Sequence, residues 1–572
     1  MIKPQSMTTK SELRQHKLFV EDHILKAVLR VSLPAIVIAL MAGLYIFADQ
    51  VMMVNLIPRF NSSDSLYNSG LWSSFQRVIA DNPDVHITNY DTATVIRTAV
   101  AYSAPVTVLI NAAALLIGNG ACINFTRYNG QGNLGKAESA WTIGFWANMI
   151  WAILISVFII ALAQVWINVE RGHELQTSLY ALKNELNMTD YSIVEHIYNS
   201  AYATIKTYAL HYMYIIAAGS IFVLYSQFLS LLIISEGKQI FAVASSIICN
   251  VITVLLDWVF IQYAKLEMNG AAVAMLIGWS LNATSYLGYI WFMDTHGESN
   301  LHLKALGRMK IILHTAGFGS LVWSIFSLGL PSFLRNVSMA IAATVQLAIL
   351  AYVIGKINQR TGSTYTNSDY QDLYGAVNPI YNLFYTATIG ILNGGRITLS
   401  YNHATKNMKR VRQSYWLIGG IGGVWGTICL IVVGFGLSTP LLHLFDVQSG
   451  TPKLDTGKYL LWIVLAGLPI FGAQMGGMIL FQGTNQWWRA SICGIMQGII
   501  CNFTISFIMM GIAISTNNIY VFLWNTLAVL VVAVIIVVTW SAIYMYKHYK
   551  DPPQTSIPRE YLERLGYTAH IL

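Results

Sequence analysis

The sequence predicts an all-α polytopic membrane protein, with twelve transmembrane helices in two six-helix bundles related by an internal parallel repeat. Three observations predict it. Of 572 residues, 55% are hydrophobic and only 10% are charged, where an ordinary soluble domain carries about 25% charged residues. Twelve predominantly apolar runs reach the ~20 residues needed to cross a ~30 Å hydrocarbon core. Short motifs recur at the same helix number in each half. Runs such as 527–538 (LAVLVVAVIIVV) are apolar on every face, which excludes a transmembrane barrel with its short alternating segments.

In chain order, a cytosolic amphipathic segment (1–30) precedes an N-terminal lobe (31–293) with helices at 31–57, 95–126, 139–168, 207–235, 239–262 and 269–293. The first apolar run follows about 23 polar residues and lacks a small-residue cleavage site, so it is expected to stay attached. Two long external segments, 58–94 and 169–206, interrupt this lobe. The second contains HELQTSLYALKNELNMTDYSIVEHIY, with Leu, Tyr and Ile at helical spacing and Thr189 or Asp190 as N-cap. It is expected to form one or two short helices over the outer mouth, or else a solvated spacer. A cytosolic linker (294–326) leads to a C-terminal lobe (327–546) with helices at 327–355, 375–403, 415–437, 459–482, 490–512 and 517–546, and a tail at 547–572.

The charges sort by side. The termini and the loops on their side hold 21 Lys and Arg against 10 Asp and Glu, while the opposite loops hold 11 against 14. By the positive-inside rule both termini are cytosolic, in a plasma membrane. The net charge of +8 is thus a topology signal and not a nucleic-acid footprint. All five cysteines lie within expected helices with no CxxC pair and no His at ligand spacing, so they are read as core residues.

The halves resemble each other. Leu33-Pro34 opens helix 1 and Leu330-Pro331 opens helix 7; Asn119-Gly120 and Asn393-Gly394 end helices 2 and 8; IICN occurs at 247–250 and again at 499–502. Six spans per half give both repeats one orientation, about an axis along the membrane normal. Gly130 to Lys136 (GQGNLGK) matches the start of a P-loop, but Ala137 follows where Ser or Thr is required, and a membrane helix precedes it. No HExxH or GxSxG is present, and no enzymatic activity is expected.

Several segments, in order, resemble the multidrug and toxic compound extrusion (MATE) transporters over roughly residues 25–548. They are LPAIVIALMAGLYIFADQVMM in helix 1, GNGACINFTRYNGQGNLGKAESA after helix 2, ISEGK at 234–238, LLDWVFI at 255–261 and NGAAVAM at 269–275. The second half adds LPSFLRNVSM at 330–339, GILNGGRITLSYNHATKNMKRVR at 390–412 and FQGTNQ at 481–486. The resemblance is to the prokaryotic type with its acidic site in the N-terminal lobe. It implies two lobes around a central cleft and ion-coupled export. The long external segments depart from the family pattern, as does Thr253, where that branch commonly has asparagine.

Ionisable groups inside spans are costly and functional by default. Away from the span ends four charged residues occur: Asp49, Asp257, Arg335 and Arg396. Each aspartate lies 17 residues into its helix, roughly 26 Å of rise, so the two share a depth. Such a pair favours holding a proton or a cation, because adjacent charges in a low dielectric repel. Tyr45, Asn250 and Thr253 line the same faces and are expected to donate to the carboxylates. Repeat alignment puts Gln346 opposite Asp49 and Met509 opposite Asp257. Gln346, Arg335 and Arg396 are possible cleft contacts; the arginines are expected to snorkel toward headgroups or to make lobe-packing contacts, the alternative being that one or both face the cleft and hold an anionic group.

The expected function is a monomeric secondary antiporter that exports small amphipathic, cationic compounds in exchange for protons or sodium ions, with no other cofactor and no nucleic-acid partner. Alternatives are a flippase or exporter of a lipid-linked or anionic amphiphile, and a non-transporting receptor or scaffold. Glycine pairs such as Gly390/Gly394, Gly422/Gly426 and Gly472/Gly476 are expected to serve close helix packing.

Overall fold

A computed structural model describes residues 23–57, 92–186, 191–314, 317–361, 367–445, 447 and 452–549. Among these residues the secondary structure is helical throughout. The long helices of the first lobe are α1 (Ile24–Leu56), α2 (Thr92–Gly130), α3 (Leu134–Leu186), α4 (Tyr191–Ser235), α5 (Gln239–Gln262) and α6 (Glu267–Thr295). Those of the second are α7 (Phe318–Thr361), α8 (Asn367–Ala404), α9 (Met408–His443), α10 (Pro452–Gly483), α11 (Trp487–Thr516) and α12 (Ile519–His548). Between the lobes run two short turns, Leu303–Leu306 and Met309–Leu313, so α7 begins inside the segment expected to be linker. Ten of these helices are long and apolar enough to cross a membrane; α6 and α8 do not reach that measure. The chain is a multi-pass membrane protein.

Burial alternates with helix number. The most apolar windows of α4 and α10 are 72% and 78% buried, whereas those of α3 and α9 are each 28% buried. The exposed faces carry Ile153, Leu154, Val157 and Phe158 on α3 and Ile428, Ile431, Val432 and Phe435 on α9. Apolar patches of that extent belong against lipid.

Among the helices that end in a left-handed turn, four do so at matching helix numbers in the two halves. Positive φ falls at Gly132 after α2 and Lys406 after α8, at Gly237 after α4 and Asn485 after α10. In each, two backbone N–H groups fold back onto the last turn, as Gly237 N–H to Ile234 and Lys238 N–H to Ile233, which satisfies carbonyls that a helix end leaves bare. The GQGNLGK segment is the first of these turns, with the Lys136 ammonium over the Tyr128 ring.

The expected glycine packing is present. Gly422 of α9 lies against Gly472 of α10, with room for no Cβ, and Gly476 lies against the Tyr415 carbonyl. Gly390 and Gly394 of α8 lie against Ala35 and Ser32 of α1, across the lobes. A second cross-lobe seam joins Gly329 of α7 to Leu116 and Gly120 of α2 to Ile325. Both seams lie at the end that carries the start of α1 and the end of α12. There the cores are shared: Ile325, Ile397 and Tyr401 pack with the first lobe, and Ile24, Val28 and Ile36 with the second. At the opposite end the lobes have separate cores, α1 alone contributing to both through Met53 and Phe47.

The segment 169–206 is not a cap of short helices. α3 continues unbroken to Leu186 and α4 begins at Tyr191, so both helices run about 25 Å past the expected span ends. No proline interrupts 169–186 or 191–206, and a helix leaving the bilayer needs only polar residues to go on. Thr189, Asp190 and the segment 58–91 lie outside the described residues.

Candidate functional site

α1 and α5 pack side by side in the first lobe, bringing Asp49 (1% exposed) and Asp257 (0%) into the half where the lobes part. Each carboxylate is within electrostatic reach of the other and of Tyr45 and Tyr212. Among the described residues Asp49 Oδ1 and both Asp257 oxygens have no hydrogen-bond partner, and the ion pairs seen there, Lys238–Glu236, His302–Asp294 and Arg308–Glu138, all lie elsewhere. Carboxylates taken out of water without partners are costly to keep charged, which is the condition for taking up a proton or a small cation.

The polar face around them differs from expectation. Thr253 donates to the Cys249 carbonyl (2.9 Å) and Asn250 to Ser246 Oγ (3.4 Å), so both bond within α5, the common fate of short polar side chains in a helix. The oxygen of Tyr45 accepts from Trp279 Nε1 of α6 at 2.9 Å. Tyr212 of α4 donates to Met275 Sδ at 3.4 Å. Neither Trp279 nor Tyr212 stood out in the sequence. Their one signal was chemical, since a buried indole N–H or phenol needs a partner.

In the second lobe both arginines are buried in protein, and Arg396 makes packing contacts between helices rather than snorkelling. Arg396 is 2% exposed and held entirely by protein. Nε donates to Gln482 Oε1 (2.9 Å), Nη1 to Asn119 and Asn393 Oδ1, and Nη2 to Ser332 Oγ (3.3 Å). Ser332 also accepts from Gln482 Nε2 at 3.0 Å. Because Asn119 belongs to α2, this cluster fastens the two lobes at their shared end, beside a bond from Ser324 to Asn124 (2.9 Å). Arg335, 3% exposed, points at Met478 Sδ of α10 (3.9 Å) and not at a headgroup. Gln346 accepts from Thr526 of α12 (3.4 Å), a bond inside the second lobe. All five cysteines are buried and free.

A MATE family transporter of the MOP superfamily, in an outward-facing conformation, superposes with a TM-score of 0.67 at 16% identity, covering 96% of this chain and 100% of that one. The chain has the MATE fold. A MOP superfamily transporter from Pyrococcus furiosus, described as having a binding pocket of reversed polarity, superposes with a TM-score of 0.66 at 16% identity, covering 96% and 100%. In sequence, the chain is 28% identical over 538 residues to an uncharacterized protein of Mycoplasmoides gallisepticum, covering 91% of this chain and 90% of that one. An uncharacterized protein of Mycoplasma genitalium is 25% identical over 549 residues, covering 94% and 95%. No family signature matches. The resemblance seen in the sequence therefore holds at the level of fold, and within the MATE fold the buried acids stand in the first lobe and the buried arginines in the second.

Proposed function

We propose that the protein is a secondary active antiporter of the plasma membrane, with twelve crossings and both termini cytosolic. It exports an amphipathic organic compound in exchange for protons or sodium ions as the two lobes alternate the side to which their cleft opens. The observation that carries this reading is the Asp49–Asp257 pair, buried, mutually repelling and with three of its four carboxylate oxygens unpartnered among the described residues. A ligand shifts a two-state equilibrium only through differential affinity for the two states, and a proton or cation on this pair supplies such a difference. Tyr45, whose oxygen already accepts from Trp279, keeps its own hydrogen for a carboxylate. Cores shared at one end and separate at the other support one of the two end states.

Cationic substrates fit the carboxylates of the first lobe. A second reading, an anionic amphiphile, is favoured by Arg335, a buried cation with open donors. A receptor or scaffold has no use for two orphaned membrane carboxylates.

The test is flux in proteoliposomes with proton and sodium gradients imposed separately. Asp49→Asn and Asp257→Asn should each fold normally and lose gradient-driven flux, because asparagine keeps the shape and cannot ionise. Wild-type flux in both well-folded variants would remove the pair from the coupling step.

A further inference from the structure

Arg335 sits 18 residues into α7 with Nη1 at Met478 Sδ, while its Nε and Nη2 have no partner among the described residues. These two N–H groups form one edge of the guanidinium, the edge that takes a carboxylate or phosphate bidentately. A buried cation without a counter-group is among the costliest groups to hold in a membrane. Among the described residues no acidic side chain pairs with it. The described acidic residues of the second lobe, Asp369, Asp372 and Asp455, stand at the starts of α8 and α10, at the far end of the lobe from the Arg396 cluster that Ser332, three residues before Arg335, joins.

The neighbours of Arg335 are unsatisfied as well. Tyr385 of α8 is within its electrostatic reach, and the buried Tyr385 hydroxyl has no partner among the described residues. On α10, Phe471 packs on the Tyr385 ring (4.9 Å between centroids) and Met478 meets Arg335. Gln474 lies between them on the same helical stripe, 6% exposed, its Oε1 also unpartnered. Tyr381 stacks on Tyr385 at 5.4 Å. A charged fork, a hydroxyl donor, an amide and an aromatic wall thus converge inside the second lobe.

We propose that Arg335, with Tyr385 and Gln474, binds the anionic head of an amphipathic ligand, a phosphate or a carboxylate, whose apolar part lies along Tyr381, Tyr385 and Phe471. Nε and Nη2 of Arg335 take two oxygens of the head, the Tyr385 O–H donates to one of them, and Gln474 accepts from a hydroxyl on the ligand. Naming this ligand a substrate rests on the transport reading; the site does not, and its test uses no gradient.

The full chain in phosphatidylcholine nanodiscs is titrated calorimetrically with octyl phosphate, inorganic phosphate and octyltrimethylammonium. Octyl phosphate should bind saturably, at least tenfold more weakly to Arg335→Gln and severalfold more weakly to Tyr385→Phe, with no competition from the cation. Inorganic phosphate binding as tightly as octyl phosphate would uphold the anion site and overturn its amphiphile. Displacement of octyl phosphate by phosphatidic acid in the disc would uphold the site with a lipid head as its source. No saturable binding of either phosphate to the wild type, or binding to Arg335→Gln within twofold of it, overturns the proposal. Should Arg335→Gln fail to fold, Tyr385→Phe decides, and unchanged binding there overturns it equally. Intact anion binding in a protein that shows no gradient-driven flux would sink the transport reading and leave the site.

Discussion

Arg396 of α8 donates to the side-chain oxygen of Asn119 on α2, and this bond ties the two lobes at the end where their cores are shared. The same guanidinium serves Gln482, Asn393 and Ser332. A lysine brings one nitrogen where four acceptors wait, without the planar fork. Arg396→Lys should therefore lower stability by about 1–3 kcal/mol, the cost of leaving buried polar groups unpaired, seen as a reduced melting midpoint in detergent. A variant that melts with the wild type would mean that the acceptors find other donors.

Asn124 and Ser324 meet across the other seam at 2.9 Å. Cysteines at both positions, joined by a short reductant-cleavable reagent, should block flux, and reduction should restore it. Wild-type flux from the fully joined protein would show that this end does not open during transport.

Sidedness can be read at two exposed turns. Lys265 lies between α5 and α6, Lys406 between α8 and α9, at opposite ends of the bundle. In intact cells an impermeant thiol reagent should label Lys265→Cys and not Lys406→Cys. The reverse pattern would invert the assigned topology.

Glu236, 1% exposed, accepts from Lys238 Nζ (2.9 Å), Ser299 Oγ (2.8 Å) and the Asn300 N–H (2.6 Å). Its cluster pins the α4–α5 turn to the chain after α6. Glu236→Ala leaves the buried Lys238 ammonium without its carboxylate, with the Glu298 carbonyl (2.7 Å) still accepting from it, and such breaks cost about 3–5 kcal/mol. Removing the charge too, in Glu236→Gln with Lys238→Met, should recover a large part of the lost melting temperature. No difference between the single and double variants would assign the loss to the Ser299 and Asn300 bonds.

Apolar periodicity made the helices legible, and with them the shared depth of Asp49 and Asp257, because rise per residue converts position into depth without any knowledge of packing. What lies beside a residue was not legible by that route. Trp279 reaches Tyr45 from α6 and Tyr212 comes within electrostatic reach of the acids from α4, and Asn119, Ser332 and Gln482 reach Arg396 from three other helices. None has a sequence spacing that marks it. Of the two readings open for Arg396, packing contacts and not snorkelling describe it, because protein acceptors stand within reach of its guanidinium. The repeat was informative where it broke: Met509, at the place of Asp257, packs against the apolar core of the second lobe, while Gln346, at the place of Asp49, bonds to Thr526.

The extension of α3 and α4 past the expected span ends gives the first lobe two long helical arms. Under the proposed rocking of the lobes, a turn of a few degrees would move the far ends of these helices by several ångström. A fluorophore or spin label on one of these arms, paired with one on the second lobe, would read conformation at a distance from both buried charge clusters, leaving the chemistry of each untouched while its motion is followed.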